Sequence, residues 1–199
     1  MEIMKKAFGT AVTNCYIVKG KNSSIIIDPG VDAFNWAYEN AINLAGVFLT
    51  HGHWDHAYCA KFFSDKGYSV YIHRDDSFMV ENASSMMPNA FKPEILTSDA
   101  SEFKVGEFGV KFHHFPGHTP GCCMLEVSCE DEKFMFSGDF LFKGSVGRWD
   151  FPYSDADKMR KSLQKALKIK ENFTLYPGHG FYTTFEDERA TIEYFLRVI

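Results

Sequence analysis

The chain lacks what would hold a protein in or against a membrane. No run of about 18 apolar residues occurs in it, so no transmembrane helix is expected. The opening stretch MEIMKKAFGTAV carries a lysine pair but no apolar segment of signal-peptide length. An excess of basic charge is missing too. Lys and Arg number 21 against 26 Asp and Glu, for a formal net charge of −5. A general nucleic-acid binder needs the opposite sign, so no nucleic-acid partner is expected. Cysteine is sparse and unpatterned, with five residues and no CxxC pair. Cys122 and Cys123 are neighbours and poorly placed to bridge each other. All five are expected as reduced thiols, which with the missing leader points to a cytoplasmic location. Internal repeats, low-complexity tracts and linkers are also absent. One domain spanning residues 1–199 is expected, with 45% apolar residues to build its core.

Chemically, the densest stretch is residues 50 to 56, THGHWDH. It places His51, His53, Asp55 and His56 within six residues. A packed core has little use for so many imidazoles, because each buried ring nitrogen needs a partner. A metal ion supplies such partners, and imidazole with carboxylate is a donor set that zinc, iron and manganese accept. The stretch follows the short apolar run Val47–Leu49, which reads as a buried strand. It therefore sits at a strand's carboxyl end, where α/β proteins commonly place their sites.

Three further candidates share that setting. His118 and His179 sit in PGH and Asp139 in SGD, each after a β-prone run. A glycine beside each lets the backbone turn and approach closely. Together with THGHWDH they make five His and two Asp. That is too many for one zinc ion, which takes about four ligands, but suits two ions with one shared carboxylate. The remaining pattern gives strands at Asn14–Val18, Ser24–Ile27, Ser69–Ile72, Val110–Phe115, Cys122–Val127, Lys133–Phe136 and Thr174–Tyr176. Helices are expected over 31–45, capped by Asp32 and ended by Gly46, and over 57–66 and 75–82. Two more should start at a Ser154/Asp157 capping box and at Thr184/Asp187. Residues 83–100 read as an irregular excursion, and so do residues 140–153. A meander of strands followed by alternation with helices, twice over, suggests two packed sheets with helices outside.

These pieces, NCYIV, IIIDPG, THGHWDH, PGHTPG, SGDFLFKGSVGRWDF and YPGHG, together resemble the metallo-β-lactamase superfamily, in its glyoxalase II-like branch. The resemblance implies an α/β fold, the αββα sandwich of two mixed β-sheets flanked by helices. It implies that His51, His53 and His118 hold a first divalent ion and that Asp55, His56 and His179 hold a second. Asp139 would bridge the two, and Asp55 and Asp139 would also orient the attacking water. Zinc is the expected ion, with iron or manganese as alternatives. The loop after Asp139 faces substrate in that family, which nominates Arg148 and Lys143; Phe181 and Tyr182 follow the last histidine. Three departures stand out. Phe181 replaces a family tyrosine, Asp150 replaces another, and residues 180–199 leave room for one helix but no helical glutathione-binding domain.

The implied reaction is hydrolysis of a small thioester, glutathione-type or other. Two ions lower the pKa of a water to about 7, and a thiol of pKa near 8.5 leaves without a strong protein acid. The alternative on the same scaffold is a persulfide dioxygenase with one iron on His51, His118 and Asp139. Nucleic-acid hydrolysis is disfavoured by the acidic balance, and a metal-stabilised module without turnover by so many donors. The other polar residues have bland readings beside functional ones. His73 has no ligand neighbours, and His113 and His114 point to opposite faces of a strand. Cys59 and Cys122 are more readily small buried residues than ligands. Asp28 either caps a turn or orients a ligand by accepting its second N–H.

Overall fold

The computed structural model describes residues 1–199 and consists of two six-stranded sheets packed face to face with helices outside. Strands β1 (Glu2–Phe8), β2 (Thr13–Lys19) and β3 (Ser24–Ile27) form an antiparallel meander. Helix α1 (Phe34–Asn40) then leads to β4 (Leu44–Phe48), parallel to β3. Helices α2 (Trp54–Ala57) and α3 (Ala60–Ser64) precede β5 (Val70–His73). A 3-10 turn (Arg74–Asp76) and α4 (Ser77–Glu81) precede β6 (Ile95–Thr97), which closes the first sheet in the order β1-β2-β3-β4-β5-β6.

The second half repeats this plan. Strands β7 (Glu102–Val105), β8 (Phe108–His114), β9 (Cys123–Cys129) and β10 (Glu132–Gly138) form a meander. A small hairpin of β11 (Leu141–Phe142) and β12 (Ser145–Val146) follows, then α5 (Ala156–Ala166). Next come β13 (Thr174–Pro177), parallel to β10, β14 (Thr183–Thr184) and the last helix, α6 (Phe185–Val198). No helix is long and apolar enough to cross a membrane.

The side-chain period of two explains why β2 and β3 read as unbroken apolar runs. Tyr16, Val18, Ile25 and Ile27 face the second sheet and meet Phe108, Phe112, Leu125 and Phe136. Cys15, Ile17 and Ile26 face the other way, onto Ala37, Phe63 and Val80 of the outer helices. The second sheet does the same, with Met124, Met135 and Leu175 against Met159, Leu163 and Ile192 of α5 and α6. Tyr16 does more than pack. Its ring meets Phe136 edge-on at 5.1 Å, and its hydroxyl donates to the Pro177 carbonyl at 2.6 Å. This ties the first sheet to the loop that carries His179.

Several local expectations fail for identifiable reasons. Helix α1 stops at Asn40, because Leu44 to Phe48 are needed as a parallel strand beside β3. Gly46 lies inside that strand, where an added Cβ would press on Tyr71 and Val105. Asp32 does not cap α1; its φ is +64 and the N-cap is Ala33, with no side-chain bond. The helix expected over 57–66 is two short pieces, and the one over 75–82 is a 3-10 turn running into α4. Residues 83–100 and 140–153 are not wholly irregular, since they hold β6 and the β11–β12 hairpin. Helix α5 is capped by Asp155, which accepts from Lys158 N–H, while the Ser154 hydroxyl turns to the His118 carbonyl at 2.7 Å.

Candidate metal centre

All seven ligand candidates meet at one edge of the sandwich. His51 and His53 follow β4, His118 lies between β8 and β9, Asp139 follows β10 and His179 follows β13. Asp55 and His56 sit on the first turn of α2, just past His53. An antiparallel bridge between Thr13 and His179 closes the two sheets together at this edge. The glycines allow the approach. A Cβ at Gly147 would fall on the Asp139 carbonyl oxygen, and one at Gly178 on the Asp139 carboxylate and the His56 ring.

In the first half of the centre, three ring nitrogens converge. His53 Nδ1 lies 3.1 Å from His51 Nε2 and 2.9 Å from His118 Nε2. The opposite nitrogens of two rings are already committed. His51 Nδ1–H donates to Thr50 Oγ1 at 3.1 Å and His118 Nδ1–H to the Arg148 carbonyl at 2.8 Å. These partners assign the tautomers and leave both Nε2 atoms as bare lone pairs aimed at His53. One proton on His53 Nδ1 satisfies only one of them. Burial pushes the His53 imidazole down to about 4, helped by His118 and His56, and burial with His56 lowers His51 also. Neutral imidazoles with converging lone pairs are what a divalent cation needs.

The second half is richer in carboxylate. His56 Nε2 is 3.5 Å from Asp55 Oδ2 and 3.3 Å from Asp139 Oδ1. His179 Nε2 is 3.5 Å from Asp55 Oδ2 and 3.4 Å from Asp139 Oδ2. Burial works against charge on these rings, but the carboxylates outweigh it. They raise His56 and bring His179 up to about 9. In return, despite their burial, His56 and His179 hold Asp55 and Asp139 below the usual carboxylate range. Asp139 also lies 3.5 Å from His118 Nε2, so it touches both halves.

Two buried atoms here, His56 Nε2 and Asp139 Oδ1, have no hydrogen-bond partner in the protein. Orphaned polar atoms facing a cluster of nitrogen and oxygen donors fit divalent ions, and no cysteine belongs to the cluster. The His/Asp clusters are therefore suited to divalent metal binding.

Around these residues lies a supporting shell. Asp28 takes the orienting role rather than a turn cap alone. It accepts from His56 Nδ1–H at 2.9 Å, from Thr50 N–H at 2.8 Å and from Thr50 Oγ1 at 2.7 Å. Through Thr50 it reaches His51 as well. Thr13 Oγ1 donates to Asp55 Oδ2 at 2.7 Å. Asp76 was not evident from the sequence. Fully buried, it accepts from Gly52 N–H (2.9 Å), Thr119 Oγ1 (2.6 Å) and Gly121 N–H (2.5 Å). It thus joins the loop of His51 and His53 to the loop of His118. Its partners stand 24 to 45 residues away in sequence, and no local pattern announces them.

The remaining candidates are placed as follows. Arg148 sits beside the first half, its guanidinium paired with Asp150 (2.6 and 2.7 Å) and lying over the Phe151 ring. Phe181 and Tyr182 are exposed just past His179, and Lys143 shares a groove with Tyr182 and Thr183. Cys59 and Cys122 are buried free thiols. His113 pairs with Glu126 at 2.9 Å. His73 and His114 stack with centroids 4.1 Å apart and planes 13° from parallel, and with Asp75 they form a separate His/Asp group away from the seven candidates.

The chain matches the metallo-β-lactamase superfamily model over residues 9–179. It is 32% identical to the hydroxyacylglutathione hydrolase GloC of Haemophilus influenzae, over 89% of this chain and 90% of that one. Among solved structures, it is similar to the BLEG-1 B3 metallo-β-lactamase, with a TM-score of 0.84 and 26% identity over 95% of this chain and 97% of the other. It is also similar to TTHA1623 in a di-iron-bound form, with a TM-score of 0.79 and 28% identity over 94% and 98% of the two chains.

Proposed function

Because the chain belongs to the metallo-β-lactamase superfamily, we propose that it is a thioester hydrolase that works with two divalent ions. His51, His53 and His118 would hold one ion, Asp55, His56 and His179 the other, and Asp139 both. Zinc is the ion we assign, while a solved relative carries iron. Bound there, such ions lower the pKa of a water to about 7 and draw charge from the acyl oxygen.

The chain's own residues supply position. Asp55, fixed by the Thr13 hydroxyl, and Asp139, lying between the two halves, accept hydrogen bonds from the attacking water and orient it. The water oxygen bonds to the acyl carbon, the carbon–sulfur bond breaks, and a carboxylic acid and a thiol leave. A thiol of pKa near 8.5 departs as thiolate near neutral pH, so no buried protein acid is required. Lys143, Phe181, Tyr182 and Arg148 are the candidate contacts for the thiol carrier.

The observation that carries the thioester reading is the 32% identity to GloC over 89% of the chain. The test is to load the protein separately with zinc, iron and manganese and assay a thioester panel that includes lactoylglutathione. Hydrolysis that a chelator abolishes and metal restores is the expected result. Inactivity of every fully loaded form across the panel would overturn the proposal. Oxygen uptake with glutathione persulfide by a one-iron form would replace it with the dioxygenase.

A further inference from the structure

Beside the first half of the centre lie two adjoining hollows of about 300 and 350 Å³. They share His53, Trp54, Met79, Met86 and Tyr153 as walls, with Phe78 in one and Phe151 in the other. Phe151 lies 6.2 Å from the His53 ring and 6.1 Å from the His118 ring, so the cleft opens on the ligand cluster. Tyr153 packs edge-on against Phe78 at 5.0 Å across it. Neither hollow has a lysine or arginine in its wall. The bordering groups that can carry charge near neutral pH, His53 and Asp55, belong to the ligand cluster itself. Arg148, outside both walls, pairs with Asp150 and lies over the Phe151 ring.

Met86, Phe151 and Tyr153 are large apolar side chains left exposed together at the mouth of a polar centre. An apolar patch of this kind marks a binding site, and methionine walls adapt to varied apolar shapes. A carrier such as glutathione brings two carboxylates, to which this cleft offers no lysine or arginine, only the neutral Asn82, Ser84 and Tyr153. The acyl group is the part of a thioester that can be wholly apolar.

We propose that this cleft seats an apolar acyl group, aliphatic or aromatic, making the enzyme selective for thioesters of such acids over short or hydroxylated ones. The inference rests on the thioester hydrolase reading and deepens it. Each methylene fully removed from water strengthens binding by roughly fourfold. The cleft is open on one side, so only part of that gain is realised.

Two measurements test it on the zinc-loaded protein. The first is kcat/KM for acetyl, butyryl, hexanoyl and lactoyl thioesters of one common thiol, N-acetylcysteamine. We expect hexanoyl to exceed acetyl by at least about tenfold and lactoyl to fall below butyryl. In Met86→Glu, a substitution at a half-exposed position that folding should tolerate, the hexanoyl-to-acetyl ratio should drop below about threefold. A flat or falling profile in an active enzyme overturns the proposal, as does a ratio unchanged by Met86→Glu. The second is binding of the hexyl and methyl thioethers of N-acetylcysteamine, followed by fluorescence of Trp54 in the cleft wall. Hexyl should bind about tenfold tighter, and equal affinities overturn the proposal. Protein that hydrolyses no thioester yet binds the hexyl compound more tightly keeps the cleft and removes the hydrolase.

Discussion

The two halves of the metal centre are held in different ways. In the first, three imidazoles face one another with little carboxylate between them, and burial keeps His51 and His53 neutral. In the second, two imidazoles are interleaved with Asp55 and Asp139, which hold them toward the protonated state. The scaffolds differ as well. Asp76 ties together the loops of the first half, while Asp28 grips His56 directly and reaches His51 only through Thr50. The first half is thus arranged as a ready cation site, whereas the second neutralises itself internally. Asp139 is the side chain that both share.

The largest expected effect therefore comes from removing that shared group. Asp139→Ala should lower hydrolysis by about 10³-fold or more and reduce the ions bound per chain from two. A folded Asp139→Ala protein with full activity and two ions would break the comparison at its joint.

Next in size is the separation of the two supports. Losing a partner bonded to a metal ligand costs about 10–100-fold in metal affinity, and Asp76, which acts one step further out through Gly52, Thr119 and Gly121, is expected at the low end, about tenfold. In a His179→Ala background, where only the first half is complete, Asp76→Asn should weaken zinc binding by that amount. In a His118→Ala background, where only the second half is complete, the same change should matter by less than about threefold. Zinc titration against a competing chelator reads both. Equal losses in the two backgrounds would show that Asp76 supports the whole edge and not one half.

The difference between the halves also decides what the sequence revealed. THGHWDH, His118, Asp139 and His179 were legible because such residues at strand ends have no use in a core. Asp28 was legible only as one of two alternatives, a turn cap or an acceptor for a ligand's second N–H, and the bond from His56 Nδ1 decides between them. Asp76 was not, since RDDSF reads as an ordinary helix start and its partners come from two distant loops. The same limit hid β1, whose residues are half exposed and carry no apolar alternation. It hid β6 too, a strand of three residues formed only because β5 offers it an edge. The Ser154 cap failed for a related reason. The hydroxyl is drawn to the carbonyl of His118, a contact made by the fold and not by the helix. Local chemistry was readable, and contacts that depend on the assembled sheets and loops were not.

The smallest expected effect concerns the strand end that precedes Asp76. His73 is buried, stacks on His114, and accepts the Asp75 N–H at Nδ1 (3.2 Å) in the turn that presents Asp76. Burial, with His114 and Arg74 beside it, pushes its imidazole down to about 4 against the weaker pull of Asp75 and Asp99. The folded value lies below the unfolded one of about 6.5, so the unfolded chain takes up the proton first. The stability tied to neutral His73 is therefore complete above pH 6.5, is lost as pH falls from 6.5 to about 4, and falls no further below that. Protonation would also turn Nδ1 from acceptor to donor against the Asp75 N–H and loosen the turn. Between pH 7.5 and 5, the urea midpoint of wild type should drop by about one molar more than that of His73→Asn, taking m near 2 kcal/mol/M. Titration of groups remote from His73 cancels in that difference. Identical pH dependence in the two proteins would detach His73 from the support of the first half and leave Asp76 to hold its loops alone.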